Sequence, residues 1–124
     1  MIERELDIAT QDGALNTYTV RPDDGGPLPV VVMLMDAPGV REGLREICRR
    51  ISQSGYYVLL PNLYYRSTRE FVLGPTRNHP EAEANLKKMF AMVGTLSNAK
   101  VAADTGAVLD RLASLPDARP GKVG

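Results

Sequence analysis

Apolar positions along the chain repeat with two different periods, and each period predicts a different kind of element. Residues 3 to 9 and 15 to 21 read as two strands joined by Gln11-Asp12-Gly13, whose Asp-Gly pair is a hairpin signal. The run Val30-Val31-Val32-Met33-Leu34-Met35 has no polar alternation, as expected of a strand covered on both faces. Leu44, Ile47, Cys48 and Ile51 then recur at i, i+3, i+4, i+7, and Gly55 supplies a stop, so a helix is predicted over about 41 to 54. Tyr56-Tyr57-Val58-Leu59-Leu60 is a second buried strand. Strand, helix, strand makes a crossover unit, and such units are right-handed almost without exception.

After Pro61 the pattern lapses until Pro80, leaving a polar, Arg-containing segment. Loops of that length in compact domains are functional or disordered as a rule. From Pro80, a good first helical residue, Ala82, Leu86, Met89, Phe90 and Val93 form one helical stripe that Gly94 ends. A third helix is predicted after Ser97-Asn98, with Val101, Thr105, Val108, Leu109, Leu112 and Leu115 on its buried side until Pro116. Residues 116 to 122 read as a loop, and Gly121-Lys122-Val123-Gly124 as the entrance to a further buried strand not contained in the chain. Internal repeats and low-complexity tracts are absent. The expected class is α/β, in one domain over residues 1 to 124.

Composition narrows the partners. Fifteen Lys plus Arg balance fifteen Asp plus Glu in 124 residues, so no global field draws the chain to nucleic acid or to an anionic membrane. One cysteine excludes an internal disulfide framework and a multi-cysteine metal site. No apolar stretch approaches the roughly 20 residues that span a bilayer. Met1-Ile2-Glu3-Arg4-Glu5 lacks the basic start and apolar centre of a signal peptide, so a cytoplasmic location is expected.

Among residues with reactive side chains, Cys48 falls on the apolar stripe of its helix, where a small buried hydrophobe fits. His79 stands between Asn78 and Pro80 without a second ligand type at metal spacing, and reads as a loop or cap residue. Arg41, Arg45 and Arg49 lie opposite the stripe and can pair with Glu42 and Glu46 as a solvated face. Asp36 is the stronger candidate. A carboxylate directly after six apolar residues sits at the mouth of a buried strand, where its pKa can be tuned; the alternative is a turn-stabilising role in Asp36-Ala37-Pro38-Gly39. The backbone N–H of Ala37 is a candidate oxyanion donor, because Pro38 has none.

The segments GPLPVVVMLMDAPGVRE, SGYYVLLPNLYYR and ARPGKVG, in this order, resemble the amino-terminal half of the dienelactone hydrolase family. The most specific of them is Pro61-Asn62-Leu63-Tyr64-Tyr65-Arg66, similar to the family's Pro-Asp-Leu-Tyr-x-Arg, although Asn62 stands where Asp is usual. The resemblance implies a three-layer α/β/α sandwich, a partial α/β-hydrolase fold ending just before the nucleophile strand. In the family the last stretch runs into a Gly-x-Cys-x-Gly elbow, a strand-to-helix turn that exposes the attacking atom and supplies one oxyanion donor.

By position, the resemblance puts Asp36 in the place of an acidic residue, commonly Glu, that takes part in activating the nucleophile. It makes Ala37 the second oxyanion donor and sets Tyr64, Tyr65 and Arg66 around the substrate pocket. Those three also have structural readings, as packing tyrosines and an ion-paired arginine. The family's substrate-carboxylate arginine finds no match in Pro80-Glu81-Ala82-Glu83-Ala84. The implied activity is hydrolysis of ester or lactone bonds by acyl transfer, without metal or organic cofactor, in a complete protein whose nucleophile this chain lacks. Alone it is expected to be inactive, and to self-associate through an open edge of the strand at 30 to 35. The alternatives are a non-catalytic fragment or partner subunit, and a nucleotide-binding module. The last is disfavoured because neither a Gly-x-Gly-x-x-Gly nor a Walker A loop follows Met35.

Overall fold

A computed structural model describes residues 1–124. Strands β1 (Ile2–Thr10) and β2 (Gly13–Arg21) form the predicted hairpin, with Thr10 opposite Gly13 and Gln11-Asp12 as the turn. Thr10 closes that turn with its hydroxyl, donating to the Gly13 carbonyl at 2.8 Å and accepting from the Asp12 N–H at 3.1 Å. Then come β3 (Leu28–Val32), α1 (Glu42–Gln53), β4 (Tyr57–Pro61), α2 (Ala82–Val93), α3 (Asn98–Leu112) and β5 (Ala118–Val123). The five strands make one mixed sheet in the order β1-β2-β4-β3-β5, with β3, β4 and β5 parallel and β1 and β2 antiparallel to their neighbours.

Why β3 and β4 are apolar throughout follows from their two covered faces. Successive side chains of a strand point to opposite sides. Tyr57 and Leu59 pack with Val30, Ile8, Leu15 and Val108 beneath α3, whereas Val58 and Leu60 pack with Tyr18, Val20, Leu44 and Cys48 beneath α1. The result is the α/β/α layering implied by the resemblance. Val58, Leu59 and Leu60 are all at 0% exposure, and burying one such side chain completely stabilises the fold by about 1.5–3 kcal/mol.

Four expectations need correction. The apolar run at 30 to 35 is a strand only from Leu28 to Val32; Met33 still bonds the Leu59 carbonyl, but Leu34 then turns out to 48% exposure. The parallel pairing with β4 ends at Val32 opposite Leu59, so Leu34 is no longer held in the sheet. Second, residues 118 to 123 are no loop but β5, which pairs with the edge of β3, so the strand at 30 to 35 has no open edge. A segment with Pro120, Gly121 and two basic residues becomes a strand because it satisfies donors and acceptors of β3: Leu28 N–H bonds Asp117 O, and Gly124 bonds both Val30 and Val32. Third, Phe90 and Val93 on α2 and Leu109 on α3 are exposed, as is Ile47 on α1; the one buried residue of α2 is Asn85. Fourth, of the predicted cation ladder Arg45 and Arg49 pair with Glu42, but Arg49 also reaches Glu3 and Arg41 turns back to Asp36, leaving Glu46 unpaired.

Candidate active site

The three parallel strands β3, β4 and β5 direct their carboxyl ends to one rim of the sheet, the place where open α/β sheets bind ligands. Beyond β3, the chain folds into a turn closed by the Gly39 N–H on the Asp36 carbonyl at 2.9 Å. Gly39 has a φ of 86°, so the turn requires glycine for its conformation, and a Cβ there would rest in van der Waals contact with the ring of Tyr64 at 3.4 Å. Arg41 grips the same turn. Its guanidinium donates to both carboxylate oxygens of Asp36, at 2.5 and 3.0 Å, and to the Gly39 carbonyl at 3.0 Å. The hydrogen bonds from Arg41 hold the Asp36 carboxyl below its usual range although half its side chain is exposed.

Ala37 lies between two fixed peptides. The peptide that carries its N–H is pinned through the Asp36 carbonyl, and the following one is pinned because the Tyr64 hydroxyl donates to the Ala37 carbonyl at 2.7 Å. The Ala37 N–H itself donates to no backbone or side-chain acceptor. A fixed, uncommitted N–H at this rim is what stabilisation of a developing oxyanion asks for.

Beyond β4, Asn62 organises the long connection. Its side-chain amide donates to Asn16 Oδ1 at 3.0 Å and to the carbonyls of Thr68 and Arg69, while its own oxygen accepts the Tyr64 N–H at 3.1 Å. Tyr64, 1% exposed, meets the ring of Phe71 edge to face with centroids 5.6 Å apart. Burial raises the pKa of its phenol, which stays a donor.

Tyr65 and Arg66 go elsewhere. The Tyr65 hydroxyl donates to Asp104 on α3 at 2.8 Å and lies 2.8 Å from the Thr10 hydroxyl. Arg66 forks onto both Asp104 oxygens at 2.7 and 2.9 Å, bonds Asp12 at 2.8 Å, and stacks over the Tyr65 ring. Of the five candidate residues, then, Asp36, Ala37 and Tyr64 are brought together, and Tyr65 and Arg66 sit in a clamp between the hairpin and α3. Asp104, 1% exposed, was not singled out from the sequence. Its signal was there: it lies between Val101 and Val108 on the buried stripe, and a carboxylate so placed demands a cationic partner.

Next to the Asp36–Gly39 turn runs a groove of about 320 Å³, lined by Pro38, Val40, Arg41, Phe71, Val72, Leu73 and Glu70. No periodicity marked residues 70 to 73, and they were missed for that reason. No group of three or more His, Cys, Asp or Glu side chains could hold a metal ion. His79 caps the approach to α2, its Nδ1 accepting the Glu81 N–H at 3.0 Å. Cys48 is fully buried, and desolvation pushes its thiol up to about 11, which favours the protonated, unreactive form at neutral pH. No helix is long and apolar enough to cross a membrane.

Comparison with known proteins shows the family and the fold. The profile of the family described as "Dienelactone hydrolase family" matches residues 15–124. A protein of Methylorubrum extorquens provisionally named carboxymethylenebutenolidase is 38% identical over 66 residues, 53% of this chain and 23% of that protein. One of Synechocystis with the same provisional name is 28% identical over 117 residues, 94% of this chain and 45% of its own length. A crystal structure from Klebsiella pneumoniae, provisionally described as a dienelactone hydrolase, superposes with a TM-score of 0.75 at 28% identity, covering 98% of this chain and 47% of that one. The chain thus spans less than half the length of these relatives.

Proposed function

Because this chain belongs to the dienelactone hydrolase family, we propose that it forms one wall of the active site of a cytoplasmic hydrolase that cleaves ester or lactone bonds by acyl transfer. The nucleophile is supplied from outside these 124 residues, by the elbow that the family resemblance places after Gly124. The observation that carries this reading is the Ala37 N–H: uncommitted, with both flanking peptides pinned, on the rim toward which β5 also points.

In the proposed reaction a thiolate or alkoxide attacks the substrate carbonyl, whose oxygen takes the negative charge. The Ala37 N–H and an amide of the elbow hold that oxygen, the alcohol departs with a proton, and water releases the acid from the acyl-enzyme. Asp36 influences the nucleophile as an anion at neutral pH, its ionised form favoured by Arg41. The substrate is a small ester or lactone. The missing carboxylate-binding arginine near Pro80 argues against dienelactone itself.

Hydrolysis of p-nitrophenyl acetate tests the proposal. The 124-residue chain alone should show no turnover above its Cys48→Ala variant. In the longer protein, Asp36→Asn should lower kcat/KM at least about tenfold and stability by less than about 1 kcal/mol, since the Asp36–Arg41 pair is half exposed. Loss of thermal stability with unchanged kinetics would assign Asp36 to the turn alone. Turnover by the isolated chain that disappears in Cys48→Ala would overturn the placement of the nucleophile.

A further inference from the structure

We infer that the groove beside Ala37 receives an uncharged, apolar acyl or alkoxy group, and that esters bearing a second carboxylate are excluded from it; this specificity rests on the hydrolase reading above. Pro38, the residue after the candidate oxyanion donor, lines the groove, so the groove starts one residue from Ala37. Its wall is Pro38, Val40, Phe71, Val72 and Leu73, and its volume of about 320 Å³ is at the small end of ligand pockets, matching one ring or a short chain.

The apolar rim is held in place. Phe71 packs on Tyr64, Arg69 donates to the Ala14 carbonyl at 2.9 Å, and Asn85 donates to the Pro75 carbonyl at 2.8 Å. At Gly74 a Cβ would lie 2.6 Å from the Asn85 side chain, so the chain is pressed against α2 at that point. Between these fastenings Val72 stands 78% exposed, the most exposed of the large apolar residues. An aliphatic side chain exposed at the mouth of a groove is suited to covering an apolar ligand.

Charge decides against anions. The guanidinium of Arg41, the one cation in the lining, is occupied by both oxygens of Asp36 and by the Gly39 carbonyl. Glu70 has no ion-pair partner in the fold, so the groove carries an uncompensated negative charge. A ligand carboxylate would meet repulsion there and no free donor fork, while an uncharged ring or alkyl chain exchanges water for apolar surface.

Titration of the chain with methyl benzoate and separately with monomethyl terephthalate, the same ester with a second carboxylate on its ring, followed by NMR, tests this without any turnover. Methyl benzoate should shift the Val72 and Leu73 methyls and the Ala37 amide, and monomethyl terephthalate should bind at least tenfold more weakly. Glu70→Gln should narrow that difference, and Val72→Asp, a change at an exposed position, should abolish the methyl benzoate shifts with the rest of the spectrum intact. Monomethyl terephthalate binding as tightly as methyl benzoate, or methyl benzoate shifting residues away from this groove, would overturn the inference. If the groove binds the ester as stated but the longer protein hydrolyses none, the hydrolase reading fails and the specificity of the groove stands.

Discussion

The hydroxyl of Tyr64, past the end of β4, donates to the carbonyl of Ala37, past the end of β3, across 2.7 Å. This single bond ties the two rims of the candidate site together. It also locks the peptide that follows the proposed oxyanion donor, which in the proposed site would make Tyr64 a positioning residue.

Tyr64→Phe keeps the ring on Phe71 and removes the bond. Stability should fall by about 1–2 kcal/mol, the usual effect of leaving a part-buried carbonyl without its donor. In the longer protein kcat should drop about tenfold with KM nearly unchanged, because the donor acts on the transition state more than on the ground state. A shifted Ala37 amide resonance in the variant is the structural readout. Equal losses in kcat and in 1/KM would point to a packing role instead.

Asn62→Asp is nearly isosteric yet should be destabilising by about 2–3 kcal/mol at pH 7, since it removes the donor and sets a carboxylate against three oxygens. Those oxygens raise the folded-state pKa of the new carboxyl above its unfolded value. The protonated variant is therefore the better-folded one, and the deficit should shrink as pH falls from 7 to 4. Urea midpoints at the two pH values check it.

Arg66→Met should cost about 3–5 kcal/mol by stranding the buried Asp104 carboxylate. Combining it with Asp104→Leu should recover most of that loss, because a pair replaced together leaves no unpaired charge. Denaturant unfolding of the single and double variants tests the clamp; loss of ester binding in the stable double variant would instead assign Arg66 to the substrate.

Cys48 should resist thiol reagents at pH 8 in the folded chain and react at least about a hundredfold faster in urea, as expected for a buried, protonated thiol. Its folded pKa lies above the unfolded value, so the fold favours the thiol form. The contribution of Cys48 to stability is complete below the ordinary thiol range and is lost as pH rises from there through about 11. A stability curve rising over that alkaline interval, relative to Cys48→Ala, would contradict it.

How far the sequence disclosed the fold depended on whether local pattern or distant pairing determined each element. Leu44, Cys48 and Gly55 place α1 within a residue or two of its observed ends, and the doubly covered β4 is visible as an unbroken apolar run. β5 was read too late, as a loop with a strand entrance at residues 121 to 124, because Arg119, Pro120, Gly121 and Lys122 have no strand-forming pattern; the hydrogen-bonding needs of β3 make residues 118 to 123 a strand. At the site, Asp36 and Ala37 could be found because they follow an apolar run directly. Phe71 and Val72 could not, since what places them is the fastening of a non-repetitive segment by Asn62, Arg69 and Asn85.

Leu63-Tyr64-Tyr65-Arg66 sends adjacent phenols to opposite duties, one to the turn at Ala37 and one to Asp104. In the proposed hydrolase, recognition and cohesion would thus part at a single peptide bond. Ester preference could then shift by single substitutions around the groove while the clamp beneath α3 holds the chain folded.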